Sequence, residues 1–144
     1  MDDARAADFV KRFEAFWRAP AVERLDTVLA ANARLSAPMV PTTAGLEAAQ
    51  RAFAELFELM PDMQAEVRAW GATREGVLIE FATRGTAGGA PIAWRGVDHF
   101  ILDAQGLATE RLTYFDSLPL TLTLARRPRT WPWALRSRIR QLRR

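Results

Sequence analysis

Between residues 4 and 18, Ala7, Val10, Phe13, Phe16 and Trp17 recur at spacings of three and four, with Lys11, Arg12 and Glu14 between them. That period gathers the apolar side chains into one stripe of a helix, and Asp2 or Asp3 stands where a carboxylate caps the first turn. Pro20 suits the first turn of a second helix in which Val22, Leu25, Val28 and Leu29 share a face, followed by an extended piece from Ala33 to Ala37. Two prolines and a glycine between Pro38 and Gly45 predict a loop, with Thr42 or Thr43 capping a third helix over residues 46–60 that Pro61 stops.

Beyond Pro61 the chain changes period. Runs at about 63–72, 77–86, 91–102 and 107–115 are rich in β-branched and aromatic residues. The connections Thr73–Gly76, Ala87–Gly89 and Asp103–Gly106 each end in a glycine, where a tight hairpin needs positive φ. Consecutive hairpins make an antiparallel meander, and helices followed by strands is the order of an α+β domain. In the third run Trp94, Asp98, Phe100 and Leu102 share one face, while Arg95, Val97, His99 and Ile101 share the other. Both faces carry large apolar groups, which predicts that one meets an internal cavity and the other a partner subunit.

A chain of 144 residues that is 49% apolar has enough material for one core without crosslinks. With no cysteine there is no disulfide and no thiolate nucleophile. A single histidine leaves too few ligands for a metal centre, and neither a phosphate-cradling glycine loop nor a Gly-x-Ser-x-Gly elbow is present, so no metal and no cofactor are expected. No apolar run reaches the roughly 20 residues that span a bilayer. The charged opening Met1-Asp-Asp-Ala-Arg5 is unlike a secretory signal, so the expected location is cytoplasmic.

The net charge of +3 conceals an asymmetry: residues 126–144 hold eight arginines and no acid, whereas residues 1–125 carry 12 basic and 17 acidic groups. Within this tail Thr130 can cap a short helix whose Leu135, Ile139 and Leu142 form a stripe, with Trp131 and Trp133 at its start. Two readings stand. The segment 126–144 touches an anionic membrane peripherally, or its stripe packs on the domain or a dimer mate while the arginines stay solvated. Nothing suggests base readout, so no specific nucleic acid is expected as a partner.

With this layout, residues 4–120 resemble the SnoaL-like branch of the nuclear-transport-factor-2-like superfamily. The resemblance is carried by the first helix with Phe13 and Trp17, the run Leu25–Pro38, Gly45, Met60-Pro-Asp62, and above all Gly96–Gly106 leading to Glu110-Arg-Leu-Thr-Tyr-Phe-Asp116. It implies an α+β fold in which a cone-shaped, curved antiparallel sheet wraps around N-terminal helices, a cystatin-like roll. Residues 1–120 would form the domain, and residues 121–144 an arginine-rich extension with an extra basic helix. It also implies a homodimer.

Polyketide cyclases, ketosteroid isomerases, epoxide hydrolases and ligand-binding proteins share this fold, so the residues must decide the function. The resemblance aligns Asp116 with an acid/base aspartate at the end of the last strand, and Asp98 with an oxyanion-donating aspartate in the strand before. It also places Ala37 where the isomerase has its base and Phe13 where it has its oxyanion tyrosine. Phe81, Thr83, Leu35 and Ala37 fall where the epoxide hydrolase holds its water, so neither of those two mechanisms transfers. The sequence therefore points to cofactor-independent acid/base chemistry on a hydrophobic cyclic or carbonyl molecule, with Asp116 and Asp98 catalytic. Carboxyls in an apolar hollow exchange protons near neutrality. Tyr114, Arg111, Phe13, Trp17, Phe57, Trp94 and Phe115 are the candidate ligand-binding residues. The alternative is a non-catalytic binding protein for an apolar ligand, in which Asp116 merely caps the next segment and Asp98 pairs with Arg95 or Arg111. Strict alternation sets the lone His99 opposite Asp98 and sets Asp116 on the face of Leu112 and Tyr114, unless a bulge changes that parity.

Overall fold

The computed structural model describes residues 2–132. Helix α1 (Asp3–Arg18) leads through a 3-10 turn (Val22–Thr27) to strands β1 (Leu29–Ala37) and β2 (Val40–Ala44) and helix α2 (Leu46–Leu59). Four strands come next, β3 (Gln64–Ala72), β4 (Gly76–Ala87), β5 (Ala90–Leu102) and β6 (Ala108–Phe115), then helix α3 (Leu118–Ala125) and a 3-10 turn (Pro128–Thr130). All six strands join one sheet in the order β2-β1-β6-β5-β4-β3. The β3-to-β6 meander is antiparallel as expected, but β1 pairs with β6 in parallel.

Helix α1 forms where the apolar period placed it. Asp2 Oδ1 accepts from the Arg5 N–H at 2.8 Å, and the stripe of Ala6, Phe9, Val10, Phe13, Phe16 and Trp17 is buried. Phe9 and Phe13 meet Phe100 of β5 with ring centroids 4.8 and 5.5 Å apart, which seats the helix on the sheet. Arg12 fixes its orientation by donating to the carbonyls of Gly106 and Thr27 at 2.7 and 3.1 Å.

Three segments depart from the sequence reading. Only Val22–Thr27 turns helically after Pro20, because Leu29 is already paired with Ala108 of β6 and the Val28 carbonyl accepts from the Ala108 N–H. Six residues are too few for a helix that must compete with a sheet. The stretch 38–45 is a hairpin rather than a loop: Met39, at φ 69°, makes the turn, and Pro41 is tolerated because β2 is the sheet's edge. Neither Thr42 nor Thr43 caps α2; Gly45 does so at φ 87°, its N–H donating to the Ala33 carbonyl.

Helix α3 runs across residue 120, and the 3-10 turn after it packs on the β4–β5 connection through Thr130 beside Gly88. The Thr130 hydroxyl is buried and shares its one proton between the carbonyls of Leu124 and Arg127, each 2.8 Å away. The stripe of Leu135, Ile139 and Leu142 lies outside the described residues. Among the described residues no helix is long and apolar enough to cross a membrane.

At the far end of the meander, Asp62 accepts from the Thr86 N–H at 2.7 Å, a bond that holds its carboxyl below the ordinary carboxylate value. Positive φ turns the chain at Gly88, Gly89 and Gly106 as expected, but not at Gly76. Gly76 is needed for space: a Cβ there would overlap the Phe100 carbonyl across the β4–β5 pair. Gly76→Ala is therefore expected to destabilise the fold by roughly 3 kcal/mol, read as a lower urea midpoint with unchanged slope, whereas Gly89→Ala, with open space around it, costs only the strain of its positive φ.

Candidate functional site

Cross-strand register aligns the concave face of the sheet in rows. Ile79, Asp98 and Thr113 stand opposite one another on β4, β5 and β6, as do Val77, Phe100 and Arg111, and Phe81, Gly96 and Phe115. Helix α1 covers the Phe100 end of this face. At the other end the sheet, the β1–β2 hairpin, α2 and α3 enclose a cavity of about 420 Å³. Its wall is mainly apolar, with Phe13, Trp17, Leu35, Phe53, Phe81, Ile92, Trp94, Phe115 and Leu120 among its residues.

Asp98 sits in this wall with no solvent exposure. Its Oδ1 accepts a 2.6 Å hydrogen bond from the hydroxyl of Thr113, the residue directly across the strand pair. Its Oδ2 lies 2.8 Å from Nη2 of Arg111, one row away on β6. The approach of Nη2 is that of an ion pair rather than an aligned hydrogen bond, so Oδ2 keeps its accepting capacity. The Arg111 guanidinium lies 5.9 Å from the ring centroids of both Phe53 and Phe100, so aromatic faces replace part of the hydration it has lost.

Five buried side-chain polar atoms among the described residues have no hydrogen-bond partner: Arg12 Nε, Trp17 Nε1, Thr43 Oγ1, Asp98 Oδ2 and Arg111 Nε. The last four belong to residues that line the cavity. An unpaired buried polar atom costs about 1–3 kcal/mol; the ion pair with Arg111 offsets that cost at Asp98 Oδ2, whereas Trp17 Nε1, Thr43 Oγ1 and Arg111 Nε have no such partner. Two donors, Trp17 Nε1–H and Arg111 Nε–H, and one acceptor, Asp98 Oδ2, suit a molecule that carries an oxygen on an otherwise apolar frame. Among the described residues no group of histidines and carboxylates is arranged to hold a metal.

Of the residues singled out by sequence, Asp98, Arg111, Phe13, Trp17, Trp94 and Phe115 come together around the cavity. Asp116 does not. Strand β6 keeps regular alternation from Glu110 to Phe115, so Arg111, Thr113 and Phe115 point inward and Asp116 falls outside. Asp116 is exposed, and its Oδ1 accepts from the Leu118 N–H at 3.0 Å at the start of α3. Tyr114 likewise lies away from the cavity, 55% exposed on the outer face. Phe57 packs behind the wall against Trp17 and Phe53 instead of lining it. His99 occupies the outer row between Leu78 and Leu112, opposite in facing to Asp98 as alternation predicts.

Four residues of the cavity wall escaped the sequence reading. Thr113 faces Asp98 only because a bulge next to the turn shifts the β5–β6 register by one between the Leu102–Ala108 and Ile101–Glu110 pairs, a shift no turn residue announces. Thr43 reads as a helix cap because a threonine before a helix usually is one. Leu120 and Leu124 line the cavity from a helix that no apolar period announces.

The family model for the SnoaL-like domain matches residues 10–111. Among curated proteins no sequence matches this chain. Among solved structures, a candidate SnoaL-like polyketide cyclase from Jannaschia sp. CCS1 superposes with a TM-score of 0.71 at 17% identity, covering 82% of this chain and 90% of that one. TsrD from Streptomyces laurentii gives 0.69 at 19% identity, with coverages of 83% and 94%. A protein of ketosteroid isomerase-like fold from Catenulispora acidiphila gives 0.68 at 18%, with coverages of 75% and 85%. At such identities the likeness is one of fold.

The geometry of the pair makes a stability prediction. Asp98→Ala leaves the Arg111 charge largely buried without its partner and is expected to cost about 3–5 kcal/mol, whereas the double variant Asp98→Leu/Arg111→Met is expected to regain most of that loss. Urea unfolding of the three proteins reads the difference.

Proposed function

Because the chain belongs to the SnoaL-like domain family, we propose that it is a small-molecule enzyme performing cofactor-independent proton transfer on a hydrophobic cyclic molecule bearing a carbonyl. The observation that carries this reading is Asp98, a carboxylate with no solvent exposure whose Oδ2 has no hydrogen-bond partner, in the wall of an apolar cavity. A volume of about 420 Å³ suits a ligand of a few fused or linked rings.

In this mechanism the substrate carbonyl oxygen accepts from Arg111 Nε–H and Trp17 Nε1–H. Asp98 Oδ2 takes a proton from the adjacent carbon, and the electron pair of that C–H bond moves onto the carbonyl oxygen as an enolate. The two donors stabilise the oxygen as its charge develops. Return of the proton to another carbon gives an isomer; attack of the enolate carbon on a second carbonyl of the same molecule closes a ring, the second carbonyl oxygen becoming an alkoxide that takes the proton back from Asp98. Thr113 positions the carboxylate by holding Oδ1. The candidate polyketide cyclase among the structural neighbours is in keeping with the second outcome.

A binding protein is the second reading, and it draws on the same pair: Asp98 is clamped by Thr113 and Arg111 on both oxygens, as a fixed polar anchor would be. The two separate in heavy water. Incubated with a panel of cyclic ketones, the wild-type chain is expected to catalyse deuterium uptake at the carbon next to the carbonyl, monitored by proton NMR, and Asp98→Asn is expected to slow it by roughly 100-fold or more. Binding without exchange favours the anchor, and exchange that Asp98→Asn leaves untouched refutes the assignment.

We also propose a homodimer formed through the outer face of the sheet. Leu78, His99 and Leu112 form one row there and Val97 and Tyr114 the next, with Leu78 and Tyr114 exposed. Sedimentation equilibrium is expected to give a dimer for the wild-type chain and a monomer for Leu78→Glu/Tyr114→Glu, with unchanged circular dichroism.

A further inference from the structure

Helix α3 is apolar on both sides. Leu120 and Leu124 line the cavity, and Thr121 donates to Met39 Sδ of the β1–β2 turn, which places α3 on the cavity rim. On the opposite side Leu118 and Leu122, one turn apart, are 63% and 48% exposed. A surface helix is ordinarily polar on the side away from the core, so the outward leucines require an occupant.

The residues after α3 indicate which occupant. Arg126, Arg127 and Arg129 are exposed, and Trp131, 51% exposed, donates through its indole N–H to the Ala125 carbonyl at the end of the helix. From Ser117 to the end of the sequence there is no acid, and five more arginines come after Pro132. The rest of the chain has an excess of acidic groups. A negatively charged lipid surface therefore attracts this edge and repels the remainder, which fixes one orientation. Exposed leucines, a tryptophan and neighbouring arginines together match the layering of a bilayer interface: acyl boundary, headgroup level, phosphate. A second copy docking symmetrically on the same face would instead bring two arginine clusters together.

We propose that α3 and residues 126–131 after it dock the protein on an anionic membrane, with Leu118, Leu122 and Trp131 entering the interface and Arg126, Arg127 and Arg129 at the lipid phosphates. In that pose α3 lies between the bilayer, met by Leu118 and Leu122, and the cavity, which Leu120 and Leu124 line from its other side. The inference goes beyond the proton-transfer reading and does not depend on it.

The test is flotation of the full chain with phosphatidylcholine vesicles made with and without phosphatidylserine. Binding is expected only with phosphatidylserine and is expected to fall steeply with salt. The variant Arg126→Glu/Arg127→Glu/Arg129→Glu is expected to bind roughly 100-fold more weakly or worse, and Leu118→Ser/Leu122→Ser at least about 10-fold more weakly. All these positions are exposed, so the variants keep the wild-type circular dichroism. Brominated phosphatidylserine is expected to quench the wild-type fluorescence and to lose that effect in Trp131→Phe. Equal binding to both vesicle types, or binding that neither variant changes, overturns the proposal. So does a change of oligomeric state in Leu118→Ser/Leu122→Ser without vesicle binding by the wild type, which would make a second copy the occupant.

Discussion

A carboxylate and a guanidinium placed together in an apolar wall are the constraint around which this molecule is arranged. Removing Asp98 and Arg111 from water costs several kcal/mol per ion even after relaxation, and only local compensation makes the arrangement tenable. The compensation is visible: Thr113 across the strand pair, the 2.8 Å ion contact, and the ring faces of Phe53 and Phe100 beside the guanidinium. Each depends on the β5–β6 register and on α1 and α2 being seated correctly. Replacing the pair with apolar groups of similar volume would be an inexpensive route to stability, so its presence at the cavity wall is more readily explained by chemistry than by folding.

The same cavity shows how a shared fold is emptied of one set of functional groups and given another. Phe13, Leu35, Ala37, Phe81 and Thr83, the positions where the isomerase or hydrolase resemblance calls for other groups, all line the hollow. Polar chemistry is withdrawn from those walls and concentrated on the inward side of β5 and β6, with Trp17 and Thr43 adding unpartnered groups from α1 and β2. Of the two aspartates singled out by sequence, Asp98 lies in this wall and Asp116 in the turn into α3.

Much of this was legible without coordinates. The 3.6-residue period located α1, the Pro61 stop located the end of α2, and the glycine-terminated connections located the meander to within a residue or two. Alternation alone separated Asp98 from His99 and raised the doubt about Asp116 that the regular β6 resolves. What stayed hidden depended on distant partners. Leu29 reads equally well on a helix face or a strand, and only its pairing with Ala108, far along the chain, decides. Val40–Ala44 looks like a loop because of Pro41, yet an edge strand forgives a missing donor. Helix α3 has leucines at every second position, a strand-like pattern overridden by the cavity rim it covers.

The chemistry proposed for the cavity requires that its Asp98–Arg111 end receive an oxygen of an apolar ligand. A co-crystal structure with a polycyclic ketone is the sharpest test of that requirement. The ligand is expected to lie enclosed between Trp94, Phe115 and Leu120, with its carbonyl oxygen within hydrogen-bond distance of Arg111 or Trp17 and an adjacent carbon against Asp98 Oδ2. A ketone bound with its oxygen toward the rim and only aliphatic atoms against Asp98, or bound outside the cavity altogether, would contradict it.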